Sequence, residues 1–414
     1  MIHIAPGPVR GRLRAPASKS HLQRVLLAAA LTPGQSRLRD IGASADGEAC
    51  LGVIQALGAR VERLEGGVRV TGGGPARGRT LDCGESGFCL RAASAVAALD
   101  AEGFTLRGHG SLATRPMDMV LEPLRQLGVS CVTQGGLQPI QVRGPLRGGR
   151  AEVDGRQSSQ FLSGLLLALP RALGDTELSV PALRSGPYVR MTLAVLEAFG
   201  ARVEAADDLS HFRIPGHQTY RPVDLSVEGD WSGAAFLLVA GAIAGDVVVE
   251  GLARESAQAD RAVLEALAAA GADVAWEGQD LRARRSELRA FQFDATDCPD
   301  LFPPLAVLAC HARGTSRILG AGRLRQKESD RAAALVSELT ALGGTLAVVG
   351  DALEITGGPL AGGVVDPHND HRMAMAGAVA SLLSRDGVRM AGEGCVAKSY
   401  PEFFQALASL RGTP

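Results

Sequence analysis

Apolar and polar positions along this chain fall into two patterns, and both return at regular intervals. The first pairs an amphipathic stretch, such as MTLAVLEAF (191–199) or RAVLEALAA (261–269), with a glycine and then an alternating segment such as ARVEAA (201–206). Apolar residues at helical spacing, a residue free to turn left-handed, and then a period of two predict a helix, a C′ glycine and a strand. ALGARVE at 56–62 returns as AFGARVE at 198–204, with looser copies QLGVSCV, AAGADVA and ALGGTLA. Their glycines, Gly58, Gly128, Gly200, Gly271 and Gly343, recur about every 70 residues, and Gly412 stands near the place of a sixth.

The second pattern is apolar on every side and rich in Ala and Gly. It comprises SKSHLQRVLLAAAL, GESGFCLRAASAVAAL, RQSSQFLSGLLLAL, GDWSGAAFLLVAGAIAG, CPDLFPPLAVLACHA and NDHRMAMAGAVASLL. Such segments predict buried helices whose small side chains let neighbours approach closely. Each opens with a polar cluster, which either caps the helix start or serves a site. The chain therefore reads as six copies of an α/β unit, three on each side of VEGDW (227–231). The expected domains are residues 18–228, and residues 229–414 completed by a strand from residues 1–17. If the buried helices of both domains aim their N-termini at one cleft, their partial positive charge makes it an anion site.

Composition narrows the function. The chain has 414 residues, a formal net charge of −1 and 46% hydrophobic residues, which fits a compact protein of two large domains and offers no general field for nucleic acid or an anionic membrane. The N-terminus lacks a signal-type apolar core, and the longest nearly uninterrupted apolar run, Gly233–Gly245, is too short to span a bilayer, so a cytoplasmic protein is expected. Seven cysteines with no C-x-x-C pair argue against a disulfide framework or a zinc ribbon.

Lysine usage points to chemistry. Only Lys19, Lys327 and Lys398 occur, and every other member of the 43 basic residues is arginine. Arginine stays charged and grips carboxylates or phosphates with a planar fork, whereas a lysine whose pKa is depressed exchanges protons readily. The three lysines are therefore candidates for proton transfer or for a compact point charge. Lys19 stands among Ser18, Ser20 and Arg24, Lys327 beside Glu328 and Arg331 in RQKESDR, and Lys398 beside Tyr400 in CVAKSYPEFF. The single asparagine, Asn369, opens NDHRMAM and leads to Arg372.

SKSHLQR, ATRPMDM, SSQFLSG, SGPYVRM, DLFPPLAVLA, RQKESDR, NDHRMAM and CVAKSYPEFF resemble, in order and spacing, the 5-enolpyruvylshikimate-3-phosphate synthases over essentially the whole chain. The resemblance implies two domains of three βαβαββ units each, with buried parallel helices, an inside-out α/β barrel that closes around shikimate 3-phosphate and phosphoenolpyruvate. It further implies that Ser20 and Arg24 hold the shikimate carboxylate, that Ser158, Ser159, Ser185 and Lys327 surround the 3-phosphate, and that Tyr188 lies beside the ring. Arg115, Gln160 and the Gly87 backbone resemble the groups at the phosphate of phosphoenolpyruvate, and Arg331 and Arg372 those at its carboxylate. Lys19 and Lys398 resemble the lysines near the reacting carbon and the departing phosphate, Asp300 the carboxylate facing the attacking hydroxyl, and Glu328 the one at the methylene. The implied reaction is addition followed by elimination, with no metal or organic cofactor, in a monomer that binds neither nucleic acid nor membrane.

GESGFCLR departs from the family. Glu85 stands where most relatives have asparagine and Phe88 where they have a small residue, so a carboxylate enters a phosphate subsite and is expected to pair with a cation such as Arg115. Arg323 and Gly186 are further departures near the acceptor. Gly87 is kept as in glyphosate-sensitive members. The related transferases acting on UDP-N-acetylglucosamine carry a cysteine where Gly110 stands and an asparagine at Ser20. A non-catalytic anion-binding protein of the same fold need not keep Asp300, Glu328 or the lysines.

Overall fold

The computed structural model describes residues 1–156, 159–325 and 327–411. The chain forms two compact units, Ala17–Val227 and Met1–Pro16 with Glu228–Pro414.

Within Ala17–Val227 one arrangement occurs three times. Its middle copy runs strand Thr80–Asp82, helix Gly87–Ala97, strand Phe104–Arg107, helix Leu121–Gln126 and the antiparallel strands Ser130–Gln134 and Leu137–Arg143. The first two strands pair in parallel across the buried helix, and the hairpin adds antiparallel to the second, giving a four-stranded mixed sheet. The first copy takes its opening strand from the far end of the unit, because Asp224–Ser226 pairs in parallel with Gly34–Arg39. In the other unit residues 1–16 supply two strands, where one was expected. Val9–Arg14 pairs in parallel with Gly245–Glu250, and Ile2–Ile4 pairs antiparallel with Val388–Met390.

The six all-apolar segments form the helices Lys19–Leu31, Gly87–Ala97, Ser159–Ala168, Trp231–Ala244, Phe302–Cys310 and His371–Ser381. In each unit the three helices pack on one another and against the inner faces of the sheets. Close approach requires small residues. A Cβ on Gly164 would lie 2.5 Å from the Ala92 Cα, so the helices holding these residues meet backbone to backbone. The recurrent glycines that end the amphipathic helices have φ of +112° at Gly58, +79° at Gly128, +76° at Gly200, +77° at Gly271 and +96° at Gly343, the left-handed region expected of a C′ residue. Gly412 lies outside the described residues. No helix among the described residues is long and apolar enough to cross a membrane.

Because the Gly164–Ala92 contact leaves no room for a methyl group, Gly164→Ala should destabilise the protein by about 1–3 kcal/mol through overpacking. Urea unfolding followed by circular dichroism measures this, and an unchanged midpoint would contradict the close contact.

Candidate functional site

In Ala17–Val227 the polar helix starts converge on a few cations. Ser18 caps its helix by accepting from the His21 N–H, and the next residue, Lys19, places its Nζ 3.1 Å from Asp46 Oδ2. Asp46 sits in the first turn of helix Ala45–Ala56, where the helix dipole favours a carboxylate. Arg24, one turn on from Ser20, is fully buried. Its Nε donates to Thr192 Oγ1 at 2.8 Å, its Nη1 to the Ser20 carbonyl at 2.7 Å and its Nη2 to Ser163 Oγ at 3.3 Å. The guanidinium lies over the Phe88 ring at 4.3 Å and near the Tyr188 ring at 5.8 Å. Among the described residues it meets no carboxylate, and burial pushes its pKa down to about 9. A buried cation held only by neutral oxygens is suited to an incoming anion.

Gly87 opens the next buried helix, capped by Ser86, and its missing side chain is filled by Arg115: a Cβ there would lie 2.8 Å from Arg115 Nη1. Arg115 makes no ion pair among the described residues, so it is not the partner expected for Glu85. Glu85 instead faces His109, with Oε1 3.9 Å from Nδ1, and its carboxyl covers the face of Gly110 that a side chain would occupy. The reason is steric: the arginine turns into the space above Gly87, and the glutamate into that above Gly110. Gln160 accepts from Arg91 Nη1 at 2.8 Å, while Arg91 Nη2 donates to the Pro116 carbonyl at 3.1 Å, so one buried arginine fixes both Gln160 and the turn carrying Arg115. Ser159 is the first residue of its helix and buried. Ser185 is left-handed, with φ +59° and ψ +40°, and begins the helix that carries Tyr188. Ser158 lies outside the described residues.

The other unit gathers Asp300, Lys327, Glu328, Arg331, Arg372 and Lys398 into one network. Asp300 Oδ1 accepts from Arg331 Nη1 at 2.8 Å and lies 3.6 Å from Lys327 Nζ, and Asp300 Oδ2 accepts from Arg372 Nη2 at 3.0 Å. Glu328 accepts from Arg331 Nη2 at 2.9 Å and its Oε1 is 4.0 Å from Lys398 Nζ. Asp370 binds Arg331 through both oxygens, at 2.9 Å from Nε and 3.2 Å from Nη2, and caps the next helix by accepting from the Arg372 backbone N–H. The two arginines are therefore unequal. Four of the five N–H groups of Arg331 are used by carboxylates, whereas the buried Nε and Nη1 of Arg372 have no hydrogen-bond partner among the described residues.

This crowding sets protonation. Burial alone would raise Asp300, but the charges of Arg372, Lys327 and Arg331 hold it well below the usual carboxylate range. Burial lowers Lys327 below the ordinary lysine value against the pull of Asp300. Burial also lowers an arginine, yet Asp370, Glu328 and Asp300 hold Arg331 above its ordinary value. Asp260, which accepts from Ser232 Oγ, is pushed up to about 6 by burial and then by the negative charge of Asp300.

Several residues that build these clusters had no role assigned from sequence. Asp370 and Arg91 stand inside quoted motifs, NDHRMAM and GESGFCLR, so their signal was adjacency. Ser163 stands likewise inside SSQFLSG, whereas Asp46, Thr192 and Asp260 lie in ordinary helical or capping contexts and carried none. No group of three or more His, Cys, Asp or Glu among the described residues is arranged to hold a metal.

The EPSP synthase (3-phosphoshikimate 1-carboxyvinyltransferase) family model matches residues 4–407. The chain is 43% identical over 408 residues to the 3-phosphoshikimate 1-carboxyvinyltransferase of Aeropyrum pernix, covering 98% of this chain and 95% of that protein. It is 41% identical over 425 residues to the protein of the same name from Halobacterium salinarum strain R1, with 98% of both covered. A solved EPSP synthase from Acinetobacter baumannii superposes with a TM-score of 0.85 at 28% identity, covering 99% of this chain and 98% of that one. The enolpyruvyl transferase NikO from Streptomyces tendae, at 19% identity and a TM-score of 0.80 over 99% and 96% of the two chains, shares the fold.

The raised pKa of Asp260 has a signed consequence. The folded state holds this proton more tightly than the unfolded chain, whose carboxyl titrates near about 3.9. Its contribution to stability is thus complete below that value and lost as pH rises through about 6. Asp260→Asn should therefore gain stability relative to the parent as pH rises from about 4 to about 7. Urea midpoints across that range measure it, and a constant difference would count against the raised value.

Proposed function

We infer the roles of these side chains from one premise: the chain belongs to the EPSP synthase family, the 3-phosphoshikimate 1-carboxyvinyltransferases. It transfers the enolpyruvyl group of phosphoenolpyruvate to the 5-hydroxyl of shikimate 3-phosphate and releases phosphate, a step of the shikimate pathway to aromatic amino acids. The observation that carries the assignment of its site is Arg372, buried beside Asp300, whose Nε and Nη1 have no hydrogen-bond partner among the described residues, so that one of them together with the second N–H of Nη2 forms an open fork. A carboxylate docks on such a fork with two parallel hydrogen bonds.

In this reading Ala17–Val227 recognises shikimate 3-phosphate. Arg24 with Ser20 takes its carboxylate, Ser158, Ser159 and Ser185 take its phosphate, and Tyr188 flanks the ring. The other unit grips the phosphoenolpyruvate carboxylate through Arg372, helped by the last N–H of Arg331, and adds Lys327 to the acceptor phosphate. Gly87, Arg115 and Gln160 receive the phosphate of phosphoenolpyruvate. In each unit the three buried helices run parallel inside their three sheets, the inside-out α/β barrel. The enzyme acts as a cytoplasmic monomer.

The chemistry follows from the charges. Asp300 is too acidic, while Arg372 faces it, to pull a proton from a hydroxyl. When the substrate carboxylate takes the Arg372 fork, Asp300 loses part of that field and its pKa moves toward the working range. It then accepts the proton of the 5-hydroxyl as the oxygen adds to the enol carbon. Glu328 in its protonated form, next to Lys398, delivers a proton to the methylene and later withdraws one from the resulting methyl, while Lys19 gives a proton to the leaving phosphate and Lys398 offsets its charge. Each half-reaction thereby has a donor and an acceptor without a metal or an organic cofactor. Gly110 bears no thiol and is covered by the Glu85 carboxyl, which disfavours the UDP-N-acetylglucosamine reaction.

The purified protein should release phosphate from phosphoenolpyruvate with shikimate 3-phosphate and not with UDP-N-acetylglucosamine. Lys19→Arg keeps the charge but not the readily exchanged proton, and should lower kcat by about 100-fold or more. Near-normal turnover would show that proton exchange there is dispensable.

Glyphosate should compete with phosphoenolpyruvate. Gly87→Ala, whose methyl would displace the Arg115 guanidinium, should raise KM for phosphoenolpyruvate by about tenfold and weaken that inhibition. Inhibition constants for the two proteins decide it, and full activity in millimolar glyphosate at low phosphoenolpyruvate would refute the expectation.

A further inference from the structure

We propose that Glu338 and His368 form a positioning clasp that sets how tightly the enzyme grips the phosphoenolpyruvate carboxylate, an inference that rests on the role given above to Arg372. The turn Asp366–Asp370 joins strand Gly363–Val365 to the buried helix His371–Ser381. It contains two consecutive non-glycine residues in the left-handed region, His368 at φ +51° and Asn369 at φ +52°. Side chains adopt that conformation in succession only where the surroundings impose it, and such strain collects at functional sites.

What imposes it is the helix Arg331–Ala341. Its first residue, Arg331, grips Asp370 at one end of the turn. Two turns later on the same helix, Glu338 grips the other end. Glu338 Oε1 lies 2.8 Å from His368 Nε2, and Oε2 accepts the Asp366 backbone N–H at 2.9 Å. Glu338 is 8% exposed and also accepts from Ser337 Oγ, so its carboxylate is fixed. Within the turn, Asp366 Oδ1 accepts the His368 N–H and the Pro367 carbonyl accepts the Asp370 N–H.

The turn in turn fixes Asp370. That carboxylate takes Arg331, Ser329 Oγ and the Arg372 N–H together. If the clasp opens, Asp370 recedes, Arg331 turns toward Asp300, and the Asp300–Arg372 pairing that aims the free edge of Arg372 is disturbed. Neither Glu338 nor His368 touches substrate in this scheme. They act through Asp370, Arg331 and Arg372.

Steady-state kinetics on three variants test the proposal. His368→Gly removes the imidazole yet suits a left-handed backbone, so the protein should fold with an unchanged or higher Tm. Its KM for phosphoenolpyruvate should rise about tenfold, with KM for shikimate 3-phosphate within about twofold of the parent. His368→Asn tolerates the same backbone and offers an amide N–H to Glu338, so it should recover most of the loss. Arg372→Lys, which lacks the fork, serves as the reference and should raise KM for phosphoenolpyruvate. If Arg372→Lys raises that KM and His368→Gly does not, the clasp is overturned and the role of Arg372 stands. If Arg372→Lys leaves it unchanged, both fall. An equal rise in the two KM values for His368→Gly overturns the clasp as well, since loosened structure would not select one substrate.

Discussion

The Arg331–Asp370 ion pair is the contact on which the rest of its unit depends, because both side chains are entirely withdrawn from water. Burying two charges costs more desolvation than their attraction returns unless further hydrogen bonds satisfy what remains, and removing one partner leaves a charge that nothing nearby can hydrate. Here the remainder is met by Asp300 and Glu328 on one side, and by Ser329 and a helix N-terminus on the other. The positions of Asp300, Glu328 and Asp370 thus follow from the need to neutralise one guanidinium. Arg372 is left incompletely paired by this arrangement, and that deficit is what a substrate can fill.

The same logic operates at the helix starts. An apolar helix buried along its whole length still begins with N–H groups that need acceptors. Ser18, Ser86, Asp230 and Asp370 meet that need for four of the six. Helix Phe302–Cys310 has no side-chain cap and begins with prolines after a 3-10 turn, which lowers the number of N–H groups to satisfy. Two caps serve twice: Ser86 also accepts from Gln23 Nε2 at 2.7 Å, and Asp370 also holds Arg331. Structural capping and site construction are therefore not alternatives in this fold. One oxygen does both, which is why polar clusters at the head of apolar runs were informative.

That dual use explains what was legible in the sequence. The buried helices, the glycines ending the amphipathic ones and the scarcity of lysine could be read because each depends on local composition or spacing. The strand Asp224–Ser226, which closes the first sheet of its unit, could not, since its partner lies roughly 190 residues away in the sequence and short strands carry little periodicity of their own. Asp46 carried no signal in the sequence, and only the fold brings it to Lys19. Glu85 was expected to pair with a cation such as Arg115, and it faces His109 instead. Which neighbour it meets depends on two missing side chains, at Gly87 and Gly110, and on how the neighbouring turns fill those spaces.

The use of lysine at three positions of an arginine-rich chain now has a geometric reading. Several arginines close an ion pair with the fork, as Arg282 does by setting Nε and Nη2 each 2.6 Å from the two oxygens of Asp246. Its lysines stand further from their carboxylates: Lys19 at 3.1 Å from Asp46, Lys327 at 3.6 Å from Asp300 and Lys398 at 4.0 Å from Glu328. A guanidinium at those sites would reach in and lock the carboxylate in two directions, fixing both groups before substrate arrived. An ammonium is a compact charge with three rotatable donors, so it can steady a carboxylate and still turn toward a phosphate. Arginine is therefore suited to positions that must not move, and lysine to those whose partner can change.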